Sequence, residues 1–192
     1  MKMGYIKVGN IMDLRIQKTQ RAIRNHFLEL FYNEDFDKIT VKDITEQAEI
    51  GRKTFYLHYI DKYDLLDKMV DQKMSELHDI CLAKKELGLR EGTTIWFDYF
   101  NNHRQFFNTL FQTSIAQKYK RQLQQLISDE LADKLDEQHY RLNNIEPQLF
   151  LKFASSGIIE LIDLYLQNEE YDKHDIEEQT YQLLKAFLNV PQ

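Results

Sequence analysis

Apolar residues recur at intervals of three and four along most of the chain, which is the spacing of one face of an α-helix. The first such segment spans residues 13–33 and predicts a long helix. Its predicted apolar face consists of Ile16, Ile23, Phe27, Leu30 and Phe31. Residues 1–12 precede this helix and are predicted to form a flexible tail.

Two short helices are predicted next. Thr40 has an acid, Asp43, three places on, and is therefore placed to cap a helix that ends near Ala48. The sequence Glu-Ile-Gly then forms a tight turn, and a second short helix is predicted at residues 52–59. Asp61 is placed to cap the long helix that follows.

Four further helical segments complete the pattern. The predicted helices cover residues 93–113, 115–139, 147–167 and 175–189, and a glycine-containing loop is predicted at residues 84–93. The first of these segments is unusually aromatic, and Pro147 suits the first turn of the third. With only two prolines and six glycines in 192 residues, the predicted fold class is all-α.

Composition and charge refine this picture. Hydrophobic residues make up 43% of the chain and charged residues 29%, which supports a real core and argues against global disorder. The net charge is −6, yet residues 1–60 carry ten Lys/Arg against eight Asp/Glu, and residues 61–192 carry fifteen against twenty-three. A locally basic end on an acidic body suits a protein that touches phosphates at one end only.

Several classes of function find no support in the residue pattern. No apolar run approaches the roughly 18 residues of a membrane span, and residues 1–12 lack the apolar core of a secretory signal. The single cysteine, Cys81, cannot form an internal disulfide, and a cytoplasmic location is expected. No metal motif, nucleophile elbow or phosphate-cradling glycine loop is found, so no metal, cofactor or enzymatic activity is predicted.

The two short helices have the arrangement of a helix-turn-helix, whose second helix places its N-terminal residues in a DNA major groove. Arg52 and Lys53 have side chains that donate to guanine edges or phosphates. Thr54 offers a hydroxyl to a phosphate or a methyl to thymine. Phe55 is expected to pack inward, while Tyr56 and His58 reach backbone oxygens of the DNA. This stretch therefore predicts a DNA-reading surface.

Residues 39–70, ITVKDITEQAEIGRKTFYLHYIDKYDLLDKMV, resemble the DNA-binding domain of TetR-type bacterial transcriptional regulators. The sequence Thr-Phe-Tyr-x-His-Tyr, followed by Asp-Lys and Asp-Leu-Leu, carries the resemblance, which extends over about residues 13–72. It implies a three-helix DNA-binding domain at 13–60 and a helical ligand-binding and dimerisation domain at 61–192. The residues predicted to contact DNA are Thr40, Lys42, Arg52, Lys53, Thr54, Tyr56, His58 and Lys62.

The turn of the helix-turn-helix departs from the Ala-Gly-Val-Ser that is usual in this family. Here it reads Ala48-Glu49-Ile50-Gly51. Glu49 stands where a glycine would take a left-handed conformation more easily, so some backbone strain is expected. Gly51 replaces the usual serine at the N-cap, a position that glycine tolerates.

The C-terminal body is similar to a regulator type common in low-GC Gram-positive bacteria, on the evidence of WFDYFNNHRQFFNTLFQ at residues 96–112. Members of that type sense small ligands or metals, or act through a protein partner. Such aromatic helices either form ordinary core or leave a ligand cavity. The candidate pocket residues are Trp96, Tyr99, Phe100 and Phe107. The broad apolar faces of residues 147–167 and 175–189 suit either the core or a symmetric four-helix dimer interface.

Together these features predict a homodimeric regulator that binds a palindromic operator and responds to an unknown small-molecule effector. The resemblance favours repression, and activation through a partner protein docked on the C-terminal domain is the alternative. A more distant alternative is a helical protein whose basic start contacts RNA or a membrane surface. The lack of a Lys/Arg-rich amphipathic face disfavours it.

Overall fold

The computed structural model describes residues 5–84, 86–137, 141–142 and 145–189. Within these residues the chain forms nine helices and one pair of two-residue strands. It divides into two compact units, Met1–Met69 and Val70–Gln192. The all-α prediction is confirmed, apart from the short strand pair.

The first unit contains α1 (Tyr5–Asn33), α2 (Val41–Gln47), α3 (Arg52–Tyr56) and the start of α4 (Lys62–Ala83). α1 begins at Tyr5 and not at the predicted residue 13, so most of the segment predicted as a tail is helical. The stretch contains no proline to stop the helix from extending in this direction. The compact units divide within α4, later than the predicted boundary between residues 60 and 61.

An aromatic core holds the first unit together. Phe27 and Phe31 of α1 stack with ring centroids 5.5 Å apart, and Phe36 packs edge-on against both. These three rings are almost completely buried, and Ile23 and Leu30 lie with them. The predicted apolar face of α1 is thus confirmed except at Ile16, which is 43% exposed because it lies beyond the part of the helix that packs on this core.

The second unit contains the rest of α4, then α5 (Leu89–Asn102), α6 (Arg104–Phe111), α7 (Ala116–Glu137), α8 (Pro147–Gln167) and α9 (Lys173–Ala186). α8 has the predicted bounds, and the Glu146 carboxylate caps it by accepting from the amides of Gln148 and Leu149. The aromatic segment predicted as one helix is divided into α5 and α6. His103 leaves the helical conformation between them, with φ −119° and ψ 24°.

Polar contacts fix the C-terminal helices against their neighbours. On α5, Arg90 pairs with Glu178 of α9, and Lys173 of α9 pairs with Asp98. Between α7 and α8, the Lys120 ammonium lies 2.6 Å from a carboxylate oxygen of Asp163, with both side chains mostly buried. Breaking such a buried pair by removing one partner leaves an uncompensated charge, so the Lys120–Asp163 contact favours one arrangement of α7 and α8.

A short antiparallel ladder joins β1 (Arg141–Leu142) to β2 (Leu188–Asn189), pairing Leu142 with Leu188. It ties the chain after α7 to the chain after α9. Among the described helices, none combines the length and the apolar character that crossing a membrane requires.

Candidate functional site

The inner side of α3 is anchored by a small apolar cluster. Phe55 is completely buried, and the ring of Tyr59, four residues on, lies 5.5 Å away and is also buried. Ile44 of α2 is buried in the same unit. Because residues four apart lie on one side of a helical turn, the opposite side of α3 must face outwards. The expectation that Phe55 packs inward is confirmed.

The outer side of α3 carries the predicted cations. Arg52 and Lys53 are exposed, and within the described part of the chain neither side chain is held by a hydrogen bond or an ion pair. Tyr56 is 57% exposed. Lys42 of α2 is also exposed, and its ammonium lies 3.7 Å from Glu46, a surface pair of the kind that contributes little. These four side chains are exposed, and an external anion can reach them.

Thr40 is engaged within the protein as the N-cap of α2. Its hydroxyl donates to the Asp43 carboxylate at 2.6 Å and accepts from the Asp43 amide at 3.2 Å. The Asp43 carboxylate accepts from the Thr40 amide in return, which completes the predicted capping box. Both Thr40 hydrogen bonds lower the pKa of Asp43. The Thr40 hydroxyl hydrogen therefore points to Asp43 and not outwards.

Thr54 and His58 lie at the margin of the outer side and are half-buried. The Thr54 amide donates to the Gly51 carbonyl at 2.8 Å, which forms the first turn of α3. The His58 carbonyl accepts from the Lys68 ammonium at 3.1 Å, so its backbone is held to α4. α3 ends at Tyr56 and not at the predicted residue 59, with Leu57 as its C-cap.

The turn between α2 and α3 has the strain that the sequence predicts. Glu49 has a φ of 52°, in the left-handed region, and is the one non-glycine residue with a positive φ in the described chain. A side chain at such a position costs about 1–2 kcal/mol. Gly51 is the N-cap of α3, as predicted, and its φ of −73° is open to any residue. The turn is therefore set by Glu49 and not by a glycine.

Lys62 is predicted to contact DNA, but its side chain faces the interior of the unit. Its ammonium is buried and donates to the carbonyls of Phe36 and Asp37, at 2.7 and 3.0 Å. It also lies 4.7 Å from the centroid of the Phe36 ring. Burial lowers the pKa of Lys62, and nearby carboxylates oppose that shift. This lysine satisfies backbone acceptors after α1, so it is not presented to a phosphate.

The C-terminal unit contains a partly open cavity of about 50 Å³. Its walls are mainly apolar and come from α4, α5, α7, α8 and α9, with Trp96, Phe97, Ile127 and Leu131 among them. Ligand sites for drug-sized molecules usually measure about 300–1,000 Å³. The space has room for water-sized molecules in this conformation, and a larger ligand would have to displace lining side chains.

Of the four predicted pocket residues, Trp96 alone lines this cavity. Phe100 and Phe107 are completely buried against each other, with ring centroids 4.5 Å apart. The Tyr99 hydroxyl donates to the Lys73 carbonyl at 2.7 Å, and burial raises the pKa of Tyr99. These three aromatic residues form core, because the break at His103 turns α5 and α6 so that their rings pack on one another.

Cys81 and Glu130 place two polar groups on the cavity wall. Burial, together with the charge of Glu130, raises the pKa of the Cys81 thiol to about 12. The thiol is therefore protonated and unreactive at neutral pH. Burial also raises the pKa of Glu130, and His78, 3.1 Å from its carboxylate, opposes the shift. No group of three or more metal-ligating side chains occurs among the described residues.

Two family models match the chain. The model described as "Bacterial regulatory proteins, tetR family" matches residues 28–69, which contain the helix-turn-helix. The model described as "Transcriptional regulator C-terminal region" matches residues 89–186, more than half of the chain. The chain belongs to the TetR family. The resemblance seen in the sequence is thereby confirmed, in both units.

Individual relatives agree with the TetR assignment. The chain is 36% identical to YxbF, an uncharacterized HTH-type transcriptional regulator of Bacillus subtilis (strain 168), over 85 residues. That match covers 42% of this chain and 22% of YxbF, so this chain spans about a fifth of that relative. It is 21% identical to the dhaKLM operon transcriptional activator DhaS of Lactococcus lactis subsp. lactis (strain IL1403), over 73% of this chain and 75% of DhaS.

A TetR regulator from Streptococcus agalactiae 2603V shares the fold. Its crystal structure superposes with a TM-score of 0.74 at 23% identity, covering 92% of this chain and 98% of that one. At this identity the similarity shows the fold alone.

In this TetR-family chain, α8 and α9 present an apolar face outwards. Phe153 is 63% exposed and Leu183 is 55% exposed. Between them lies an apolar groove of about 120 Å³, whose lining includes Gly157, Leu161 and Phe187. A side chain added at Gly157 would meet no described atom within 4 Å. This apolar face is exposed on the surface of the subunit.

Leu57 and Ile60 lie beside the predicted DNA contacts, and sequence reasoning passed over both. They are the most exposed large apolar side chains of the described residues, at 79% and 77%. Leu57 occupies the variable position in Thr-Phe-Tyr-x-His-Tyr, four residues after Lys53. That spacing places it on the outer side of the helical turn and was the available signal.

Proposed function

We propose that this protein regulates transcription by binding a palindromic operator as a homodimer, with repression as the usual outcome. Each subunit would present α3 to the major groove of one half-site, and the half-sites would lie about one helical turn or a little more apart. Family membership supports the regulator class. The observation that carries the DNA-binding part is the outer side of α3.

The chemistry of that side suits duplex DNA. Arg52 and Lys53 are exposed and uncompensated, and Lys42 extends the positive surface from α2. Tyr56 is exposed, and its hydroxyl would donate to a phosphate. Guanidinium and ammonium groups donate to phosphates and to the edge of guanine, which combines affinity with sequence choice. Thr54 and His58, at the margin, would contribute to the backbone contacts.

Dimerisation is assigned to the apolar face of α8 and α9. Two helices per subunit would form a symmetric four-helix interface, in which the same residues meet from both sides. Exposed Phe153 and Leu183 supply large side chains, and the open space at Gly157 would receive one from the partner. Such a contact removes apolar surface from water, which neither subunit achieves alone.

The effector site is assigned to the cavity beside Trp96. The hydroxyls of Thr93 and Thr180 on its wall already donate to their own helices, at 2.9 and 2.7 Å. Most of the lining is apolar, so an effector that enters would be mainly apolar, and Glu130 on the wall would meet any polar group that it carries. It would act only by binding one arrangement of the regulator better than the other. Trp96→Ala should alter the dose–response to an effector while operator affinity stays unchanged.

A second candidate function is activation through a protein partner. The observation that favours it is the similarity to DhaS, which is named as an operon transcriptional activator. In vitro transcription from a promoter that carries the selected operator separates the two functions. Repression lowers the transcript as this protein is added, whereas activation raises it, with or without an added partner.

The experiment that tests the proposal begins with selection of bound sequences from random duplex DNA. Recovered sequences should contain an inverted repeat, and mass measurement of the complex should give two chains per repeat. Affinity should fall steeply with salt, with a log–log slope of about 0.9 for each phosphate that is neutralised. Recovery of no preferred sequence at moderate salt, or binding by a single chain, contradicts the proposal.

A further inference from the structure

Leu57 is exposed where exposure has no structural reason. Its side chain is 79% exposed, more than any other large apolar side chain in the described chain. The Leu57 amide donates to the Lys53 carbonyl at 3.2 Å, and its φ of −72° and ψ of −19° are helical. The residue therefore continues the turn of α3, and its side chain follows Lys53 on the outer side of the helix.

An apolar side chain on a DNA-reading surface has one complementary group in the major groove. Each base pair presents donors and acceptors there, and the C5-methyl of thymine is the apolar group among them. Water must be removed from both surfaces when α3 enters the groove. Leucine gains from this removal when it meets a methyl group, and gains nothing against a bare donor or acceptor.

Ile60 is almost as exposed but has a different setting. It lies beyond α3, and its amide donates to the Asp64 carboxylate at 2.9 Å. The pKa of Asp64 is lowered, with the Lys68 hydrogen bond as the largest cause, so this carboxylate is negative at neutral pH. The Lys68 ammonium lies 2.9 Å from this carboxylate, so Ile60 lies beside an ion pair and not beside a cation that is available to DNA. Leu57, which shares its turn with Lys53, is the better placed of the two.

We propose that Leu57 determines sequence specificity by packing against the C5-methyl group of a thymine in each operator half-site. This inference rests on the proposed function and adds to it the base that one side chain selects. The hydrogen-bonding residues alone would not require thymine at that position.

Deoxyuridine tests the contact, because it differs from thymidine only by the missing methyl. The duplex selected by the full-length protein is remade with one thymine per half-site replaced by deoxyuridine, at each thymine in turn. Affinity is measured by fluorescence anisotropy at fixed salt. At one position the wild-type protein should lose about fourfold per methyl, since burying one such group contributes about 0.8 kcal/mol.

The Leu57→Ala variant is tested against the same thymine and deoxyuridine duplexes. It should bind the thymine duplex more weakly than wild type, yet bind the thymine and deoxyuridine duplexes equally at the sensitive position. A side chain so exposed is not needed for folding, and thermal unfolding of the variant checks this. Leu82→Ala is the matched control: Leu82 is 49% exposed on α4, and its loss should leave the methyl sensitivity intact.

Two outcomes overturn the inference while leaving the proposed function in place. In the first, wild type binds its selected duplex specifically and tolerates every deoxyuridine. In the second, Leu57→Ala loses as much affinity as wild type at the sensitive thymine, so that another residue reads the methyl. Failure to bind any preferred duplex contradicts the proposed function itself, before the methyl is tested.

Discussion

Two faces of this protein expose large apolar side chains, and their surroundings differ. On the outer side of α3, Leu57 follows Lys53 by one turn, and neither Arg52 nor Lys53 has an acidic partner among the described residues. On α8 and α9, Phe153 and Leu183 border a groove that is lined by apolar atoms. Exposed apolar surface among cations suits a polyanion with methyl groups, whereas a purely apolar groove suits another protein surface.

The largest effect should follow from damage to the α8–α9 face. Phe153→Asp places a charge in the proposed interface, and Gly157→Trp fills its open space without removing any contact within the subunit. Either variant should have a solution mass near 23.2 kDa and not twice that value. Operator affinity should then fall by about 10²–10⁴, because the two reading helices are no longer linked.

Sedimentation and anisotropy measure these two losses. Leu82→Asp is the control, since Leu82 is also exposed but belongs to α4 and not to α8 or α9. It should stay dimeric and bind normally. A dimeric Gly157→Trp variant would place the interface elsewhere.

Substitutions on the outer side of α3 should weaken DNA binding without affecting dimerisation. Arg52→Ala and Lys53→Ala should each lower operator affinity by about 1–3 kcal/mol if they contact bases, with the dimer intact. The matched control is Lys38→Ala, because Lys38 is 80% exposed and lies outside α2 and α3. Equal affinities of both α3 variants and wild type would remove these residues from the reading surface.

Lys62 is a cation that faces inwards, in contrast to the exposed Arg52 and Lys53. Lys62→Met should lower the free energy of unfolding by about 1–3 kcal/mol, since the Phe36 and Asp37 carbonyls lose their donor. The salt dependence of DNA binding should not change. Urea unfolding and a salt titration check the two halves of this prediction, and a flatter salt slope with unchanged stability would restore the phosphate role.

The smallest effect is expected for a substitution in the turn between α2 and α3. Glu49→Gly should raise the free energy of unfolding by about 1 kcal/mol or less, because glycine relieves the left-handed strain but gains entropy when unfolded. Urea unfolding measures it, with Glu46→Gly as the control. Glu46 lies in helical α2, so glycine there should destabilise.

Local chemistry explains which parts of this fold follow from the sequence. The capping box at Thr40, the strain at Glu49 and the inward side chain of Phe55 each depend on neighbours within a few residues, and all three predictions are confirmed. The inward position of the Lys62 side chain does not follow from the sequence, because its acceptors lie 25 and 26 residues earlier in the chain. Periodicity alone does not show which distant carbonyls a lysine will meet.

In the C-terminal unit, the sequence likewise does not predict which aromatic residues line the cavity. Trp96, Phe100 and Phe107 all belong to apolar helical faces, and composition does not separate a cavity wall from solid core. The break at His103, where the chain leaves the helical conformation without a proline or glycine, brings Phe107 of α6 against Phe100 of α5. Trp96 and Phe100 lie on the same helix, and the sequence pattern does not show which of them faces the cavity.

The separation of the reading side and the α8–α9 face into different compact units has a genetic consequence. A copy of the gene that encodes Arg52→Ala would still produce chains able to assemble with unaltered ones. Each mixed dimer would contain one subunit that binds DNA and one that does not. The variant chains would therefore take functional subunits away from the operator. Such an allele should be dominant over the normal gene, whereas an Arg52→Ala allele that also carries Gly157→Trp should be recessive.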